Sequence, residues 1–193
     1  ANWFSYYRKR EYVAKAVYGR IITDDIANNK RVGLATLNSS TVTRSDGSII
    51  EENVPITPLK SDAKKKASLD ALYSMETGGG TPLRKALDEA GQYLTCAAGQ
   101  PLFGACPNDA SSPGLDPATD VLSADELRCQ QNIVIAMTDG FYNGKDDEDF
   151  IDLTNHDADN SSNWDGGAHA DTVTSTLGDI AMKYYETDFD GDP

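Results

Sequence analysis

The sequence predicts an α/β fold, a sheet covered by helices on both faces. Two runs of nearly continuous apolar residues, 31–38 and 132–138, read as buried strands. Stretches with apolar residues at helical spacing stand before, between and after them. Clusters rich in Gly, Asn or Pro separate the two kinds of element. Helices alternating with buried strands argue for a layered sheet, and sites in such sheets gather at the carboxyl ends of strands.

The elements follow in order. Residues 2 to 24 read as a helix, with Phe4, Tyr7, Val13, Val17 and Ile21 near helical spacing and Arg8, Lys9, Arg10 and Lys15 between them. The aromatic group Trp3, Phe4, Tyr6 and Tyr7 reads as packing. Asn28-Asn29 breaks the helix. Arg31 to Asn38 follows as a central parallel strand through Val32, Leu34, Ala35 and Leu37. Thr41 to Arg44 and Ser48 to Ile56 flank Ser45-Asp46-Gly47, a hairpin signal, because Asp-Gly accepts the positive φ of tight turns. Pro55 and Pro58 confine the second arm to a sheet edge or a loop. Ser61 caps a helix over 62–76 that turns Ala67, Leu69, Leu72 and Tyr73 inward. Gly78-Gly79-Gly80 stops it. Thr81, as cap, and Pro82 start the next helix, which runs to Leu94. Polar insertions occupy 96–128 and 143–169, on either side of the apolar strand 132–138. A last helix covers 172–185 with Leu177, Ile180, Ala181 and Tyr184 as its stripe.

The chain has 193 residues, enough for one domain with its own core. We read it as a piece of something larger, or as a processed form, since it begins with Ala1. Its longest apolar stretch is far below the ~20 residues of a membrane span. Seventeen basic and 31 acidic residues give a net charge of −14, which repels phosphate backbones and excludes nucleic acid as the expected partner. Lys and Arg concentrate in residues 1–66 and Asp in residues 139–192. Three cysteines, Cys96, Cys106 and Cys129, allow one disulfide: Cys96 with Cys106 around a short segment, or Cys96 with Cys129. An exported, oxidising location is favoured.

Thr81 and Asp139 look like half of a divalent-metal site. One offers a hydroxyl on a glycine loop before a helix, the other a carboxylate at a strand end, and Mg²⁺ takes oxygen ligands of this kind. Each also has a bland reading, Thr81 as a helix cap and Asp139-Gly140 as a turn. Asp188, Asp190 and Asp192 begin like a Ca²⁺ loop, without the Glu that completes one. Asp146-Asp147-Glu148-Asp149 and His156-Asp157-Ala158-Asp159-Asn160 are further Ca²⁺ candidates beside the reading as a solvated acidic surface. His156 and His169 lack Cys partners at zinc spacing. No Gly-x-Ser-x-Gly is present, and Gly78-Gly79-Gly80-Thr81 lacks the Lys of a phosphate loop, so the expectation is a non-enzyme.

Taken together, the glycine loop with Thr81-Pro82-Leu83, the helix with Ala86-Leu87 and the strand ending Thr138-Asp139-Gly140 resemble the von Willebrand factor A domain. That resemblance implies a doubly wound, mostly parallel sheet and an adhesion site for Mg²⁺ or Mn²⁺. Thr81 would be the loop ligand and Asp139 the late ligand. Further blocks are similar to type IV pilus biogenesis and tip-adhesin proteins of the PilY class. They are Ala1-Asn2-Trp3-Phe4-Ser5-Tyr6-Tyr7-Arg8, Gly80-Thr81-Pro82-Leu83-Arg84, Cys129-Gln130-Gln131-Asn132, Met137 to Asn143, and Ser175 to Tyr185. The resemblance implies one partial domain over 1–193 of a large exported protein, at the cell surface, pilus tip or periplasm. Minor pilins, other parts of the same protein, or host surface proteins would be its partners. The family's Asp-x-Ser-x-Ser is absent. Its nearest strings here, Asp109-Ala110-Ser111-Ser112 and Asp159-Asn160-Ser161-Ser162, have the wrong spacing, so the first strand is expected outside this chain. The alternatives are a rigid pilus-tip component with a vestigial metal site and, less favoured, a metal-dependent hydrolase.

Overall fold

A computed structural model of the chain describes residues 9–25, 30–37, 41–43, 49–51, 53–76, 80–96, 106–112, 114–123, 126, 130–138, 153–158 and 170–186. They belong to two compact units, Ala1–Gly79 with Pro107–Val121 and Gly80–Cys106 with Leu122–Pro193. By sequence the first unit holds 12 of the 17 basic and 12 of the 31 acidic residues and is formally neutral. The chain's whole excess of −14 therefore belongs to the second.

The first unit opens with helix α1 (Arg10–Arg20), which widens into a π-helical turn over Ile21–Asp25. Strand β1 (Arg31–Leu34) follows, then β2 (Thr41–Thr43), β3 (Ile49–Glu51) and β4 (Val54–Pro58). β2 and β3 pair antiparallel with Thr41 opposite Glu51 and Thr43 opposite Ile49, as the Asp-Gly turn signal predicts. The turn residues themselves lie outside the described residues.

β1 departs from the expectation of a central parallel strand. It pairs antiparallel with β4 in a two-stranded sheet, Arg31 opposite Pro58 and Leu34 opposite Val54. A run of four residues with Val32 and Leu34 half-buried is compatible with either pairing, so the apolar pattern alone could not choose. The register slips between Val32 and Leu34. Gly33 sits at the slip, where a Cβ would stand 2.8 Å from Ile56 and 3.1 Å from the Val54 carbonyl. Only glycine admits that approach. Among the described residues both strands of this pair are edges, which accommodates Pro55 and Pro58.

Helix α2 (Asp62–Ser74) starts where Ser61 predicts, with the Ser61 hydroxyl accepting from the Lys64 amide at 3.3 Å. Ile22, Leu59 and Leu72 form the buried core of the unit, packed by Tyr18, Val32, Leu34, Leu69 and Met75. Ala67 and Tyr73, expected inward, are exposed instead, because the buried stripe runs through Ser68 and Leu72. The carbonyl end of α2 is closed by Lys15, whose ammonium reaches the Tyr73 carbonyl at 3.2 Å and also the Met75 carbonyl. Glu11 holds the same ammonium at 2.6 Å. A cation at that end also complements the helix dipole.

Part of the first insertion packs into this unit. Asp120, 3% exposed, accepts from Lys60 at 3.2 Å and from Lys64. Burial raises the Asp120 carboxyl. The bonds from Lys64, the Asp116 amide and Lys60, with the charge of Lys64, outweigh burial and hold it well below the usual carboxylate range. Arg31 donates to Asn108 at 3.2 Å from the other side.

The second unit contains α3 (Leu83–Leu94) and α4 (Leu177–Glu186), with Leu83, Tyr93 and Ile180 buried. α4 begins later than expected, at a capping box. The Asp179 carboxylate accepts from the Thr176 amide and hydroxyl, both at 2.8 Å, and the Thr176 hydroxyl accepts from the Asp179 amide at 3.1 Å. Residues 132–138, expected as a buried strand, carry no strand pairing, and Ile133 and Ile135 are 78% and 71% exposed. A strand needs a neighbouring ladder for its backbone groups, and neither described sheet includes this segment. No described helix is long and apolar enough to cross a membrane.

Candidate functional site

The start of α3 carries the first expected ligand. Thr81 precedes Pro82, which disfavours helical geometry at Thr81 and fixes the chain before the helix. The Thr81 carbonyl accepts from the Leu83 amide at 2.9 Å, and the Pro82 carbonyl accepts the first helical bond, from Ala86 at 3.0 Å. Pro82 therefore occupies the cap position, where its own side chain makes no capping bond. Thr81 is not the cap expected of it. It stands one residue before the cap position and is half-buried.

Asp139 lies outside the described residues, as do Cys129 and the candidate calcium ligands Asp188, Asp190 and Asp192. Among the described residues, no three His, Cys, Asp or Glu side chains group to hold a metal ion. The described part of the chain thus supplies one oxygen donor of the expected Mg²⁺ or Mn²⁺ set, which by itself is no metal site. Asp109, of the rejected near-match to Asp-x-Ser-x-Ser, and Asp157, of a calcium candidate run, have partners within the protein. The Asp109 carboxylate accepts from the Ser111 amide and hydroxyl, both at 2.8 Å, and these bonds hold it below its ordinary pKa. Asp157 is buried and accepts from the Asp171 amide at 3.3 Å. Cys96 and Cys106 are joined by a disulfide with their Cα atoms 5.2 Å apart.

Sequence reasoning missed two arrangements in this unit. The first joins the helices. Asp88 of α3 is buried and accepts from Lys183 at 2.9 Å and Tyr184 at 2.7 Å, both on α4, and from Gln92. Burial pushes the Asp88 carboxyl up. The bonds from Lys183 and Tyr184, the Lys183 charge and the bond from Gln92 outweigh burial and hold the carboxyl below its ordinary value. Burial, then the bond to Asp88 and its charge, push the Tyr184 phenol up. Gly91 makes room, since a Cβ there would lie 2.3 Å from the Tyr184 ring. Lys183 stands 95 residues from Asp88, and no local pattern marks the pair.

The second arrangement lies before α4. Ser175 is buried with a positive φ of 62°, and its carbonyl accepts from Arg84 on the first turn of α3 at 3.1 Å. The Asp179 carboxylate that caps α4 also accepts from the His156 amide at 2.8 Å. The signal for this capping box, Thr176 three residues before Asp179, is present in the sequence.

No family model matches the chain, and no solved structure matches it at a significant level. Three curated proteins do match, each called Type IV pilus biogenesis factor PilY1, from strains of Pseudomonas aeruginosa. The strain PAK protein is 28% identical over 194 residues, 97% of this chain and 15% of the relative. The strain PAO1 protein is 26% identical over 196 residues, with 97% and 15% covered. The strain UCBPP-PA14 protein is 27% identical over 195 residues, with 97% and 14% covered. The chain thus spans about 15% of the length of these relatives. Along nearly its whole length, it is similar to one stretch of these pilus biogenesis factors.

Proposed function

We propose that this chain is a non-enzymatic adhesion or assembly module of an exported, type IV pilus-associated protein. The observation that carries the reading is the match to pilus biogenesis factors over 97% of the chain. In this reading the chain forms a von Willebrand factor A-like domain, at the cell surface, pilus tip or periplasm. Thr81 and Asp139 contribute to a Mg²⁺ or Mn²⁺ site, completed by residues outside the chain. Its partners are minor pilins, other parts of the same protein, or host surface proteins. Ca²⁺ would be taken by Asp188, Asp190 and Asp192.

Isothermal titration of the chain, and of a longer protein extended upstream, with Mg²⁺, Mn²⁺ and Ca²⁺ tests the site. Thr81→Ala and Asp139→Ala should each weaken Mg²⁺ or Mn²⁺ binding by about tenfold or more, the loss of one ligand or its close support. Unchanged affinity in both variants would remove the ligand roles. The interlocked network of Asp88, Lys183 and Tyr184 favours, as a second reading, a rigid component with a vestigial site. Pilus assembly unaffected by Asp139→Ala would select that reading.

A further inference from the structure

Ser175 holds a backbone conformation that L-residues other than glycine seldom adopt, with φ at 62°. Such residues persist only where the surroundings over-determine them. The surroundings here are specific. Ser175 is 7% exposed. Its hydroxyl accepts from the Leu153 amide at 3.0 Å and donates to the Leu153 carbonyl at 3.2 Å, so one side chain stands in for a whole strand partner. Its carbonyl accepts from Arg84 at 3.1 Å. The next residue, Thr176, begins the capping box of α4, and Asp179 of that box also holds the His156 amide. Segment 153–158 is therefore gripped at two points from the start of α4, at Leu153 and His156. Asn155 adds a third tie, donating to the Asp171 carbonyl at 3.0 Å. The start of α3 reaches the same node through Arg84, three residues beyond Thr81.

We infer that Ser175 is a conformational latch coupling segment 153–158 to the start of α3, with Arg84 as its positioning residue. Engaged, the Ser175 hydroxyl holds the left-handed turn and points the Ser175 carbonyl at Arg84. When Leu153 is drawn away, the turn loses the bonds that offset its strain and relaxes to an ordinary φ. The carbonyl then leaves Arg84, and the first turn of α3 loses that bond. A partner that displaces segment 153–158 thereby loosens the backbone beside Thr81, and one that secures the segment fixes it. Only this last consequence rests on the function proposed above.

Amide hydrogen exchange followed by NMR on the whole chain, without metal or partner, tests the latch. Ser175→Ala should speed exchange of the Leu153 amide and, at a distance, of Ala86 by about tenfold or more, the equivalent of one lost hydrogen bond. Ser175→Gly accepts the left-handed φ but lacks the hydroxyl, and should free Leu153 equally. Arg84→Ala should speed exchange at Leu153, which Arg84 does not bond, because coupling is reciprocal. Effects confined to each variant's own element, with circular dichroism unchanged, would overturn the latch. Should Ser175→Ala fail to fold, Ser175→Gly and Arg84→Ala decide alone. Metal titration of Thr81→Ala fails or succeeds independently of this result.

Discussion

Replacing Asp88 with Asn should loosen α3 from α4, and the size of the effect follows from what the carboxylate holds. Asp88 accepts three side-chain bonds, from Lys183, Tyr184 and Gln92, in a site where its own side chain is 9% exposed. A hydrogen bond to a charged group contributes about 1.5–3 kcal/mol, and removing one member of a buried ion pair costs about 3–5 kcal/mol. The Lys183 side chain is 30% exposed, so its ammonium can turn to water once the carboxylate is gone. That places Asp88→Asn at the lower end, about 2–3 kcal/mol. At about 2–4 °C per kcal/mol for a chain of this size, the midpoint of thermal unfolding should fall by about 4–12 °C. The pH dependence supplies an internal control. The folded carboxyl lies below its ordinary pKa, so its contribution is complete above the unfolded value of about 3.9. It is lost as pH falls through the folded value. Urea unfolding at pH 7 and again near pH 3 should therefore show the gap between wild type and variant narrowing in acid. A variant within about 0.5 kcal/mol of wild type at pH 7, the range of a neutral surface change, would refute the reasoning. So would a gap that persists undiminished in acid.

Gly91→Ala should destabilise the same helix pair, although alanine favours helix by about 1 kcal/mol. The new Cβ at 2.3 Å from the Tyr184 ring forces overpacking of about 1–3 kcal/mol and strains the bond to Asp88; urea unfolding reads the net loss. Ser61→Ala should lower stability by about 1 kcal/mol through the lost cap of α2, while Ser61→Asp should retain it in the same assay. Reducing the Cys96–Cys106 disulfide, which spans 10 residues, should lower stability by about 2–3 kcal/mol on loop-closure grounds; thermal unfolding with and without reductant measures it.

What the sequence revealed was mostly local. The Ser61 and Asp46-Gly47 signals concern neighbours three or four residues away; the α2 cap and the antiparallel β2–β3 pairing agree with them. Partner choice across distance was not legible. β1 has the apolar pattern of a central strand, yet it meets β4 antiparallel, because pattern reports burial and not who lies alongside. Residue type alone makes Thr81 the cap, whereas the cap position falls one residue on, at Pro82. The Thr176–Asp179 box, which sets the start of α4, was legible in the sequence. Ser175 could not be foreseen, since a left-handed serine is selected by Leu153 and Arg84, 22 and 91 residues away. Of the proposed metal ligands, only Thr81 lies among the described residues.

The uneven allotment of charge between the two units changes how ionic strength acts on the chain. The isoelectric point near 4.4 describes an average of two unlike bodies, one neutral and one carrying −14. At physiological salt the Debye length is about 8 Å, so the anionic unit's field fades within a few water layers. A cationic partner engaging that unit would be drawn in faster as salt is diluted and released as it is raised. The neutral unit's own charges would exert little net pull on a partner. Salt titration of an encounter rate would thus report which body a ligand meets first.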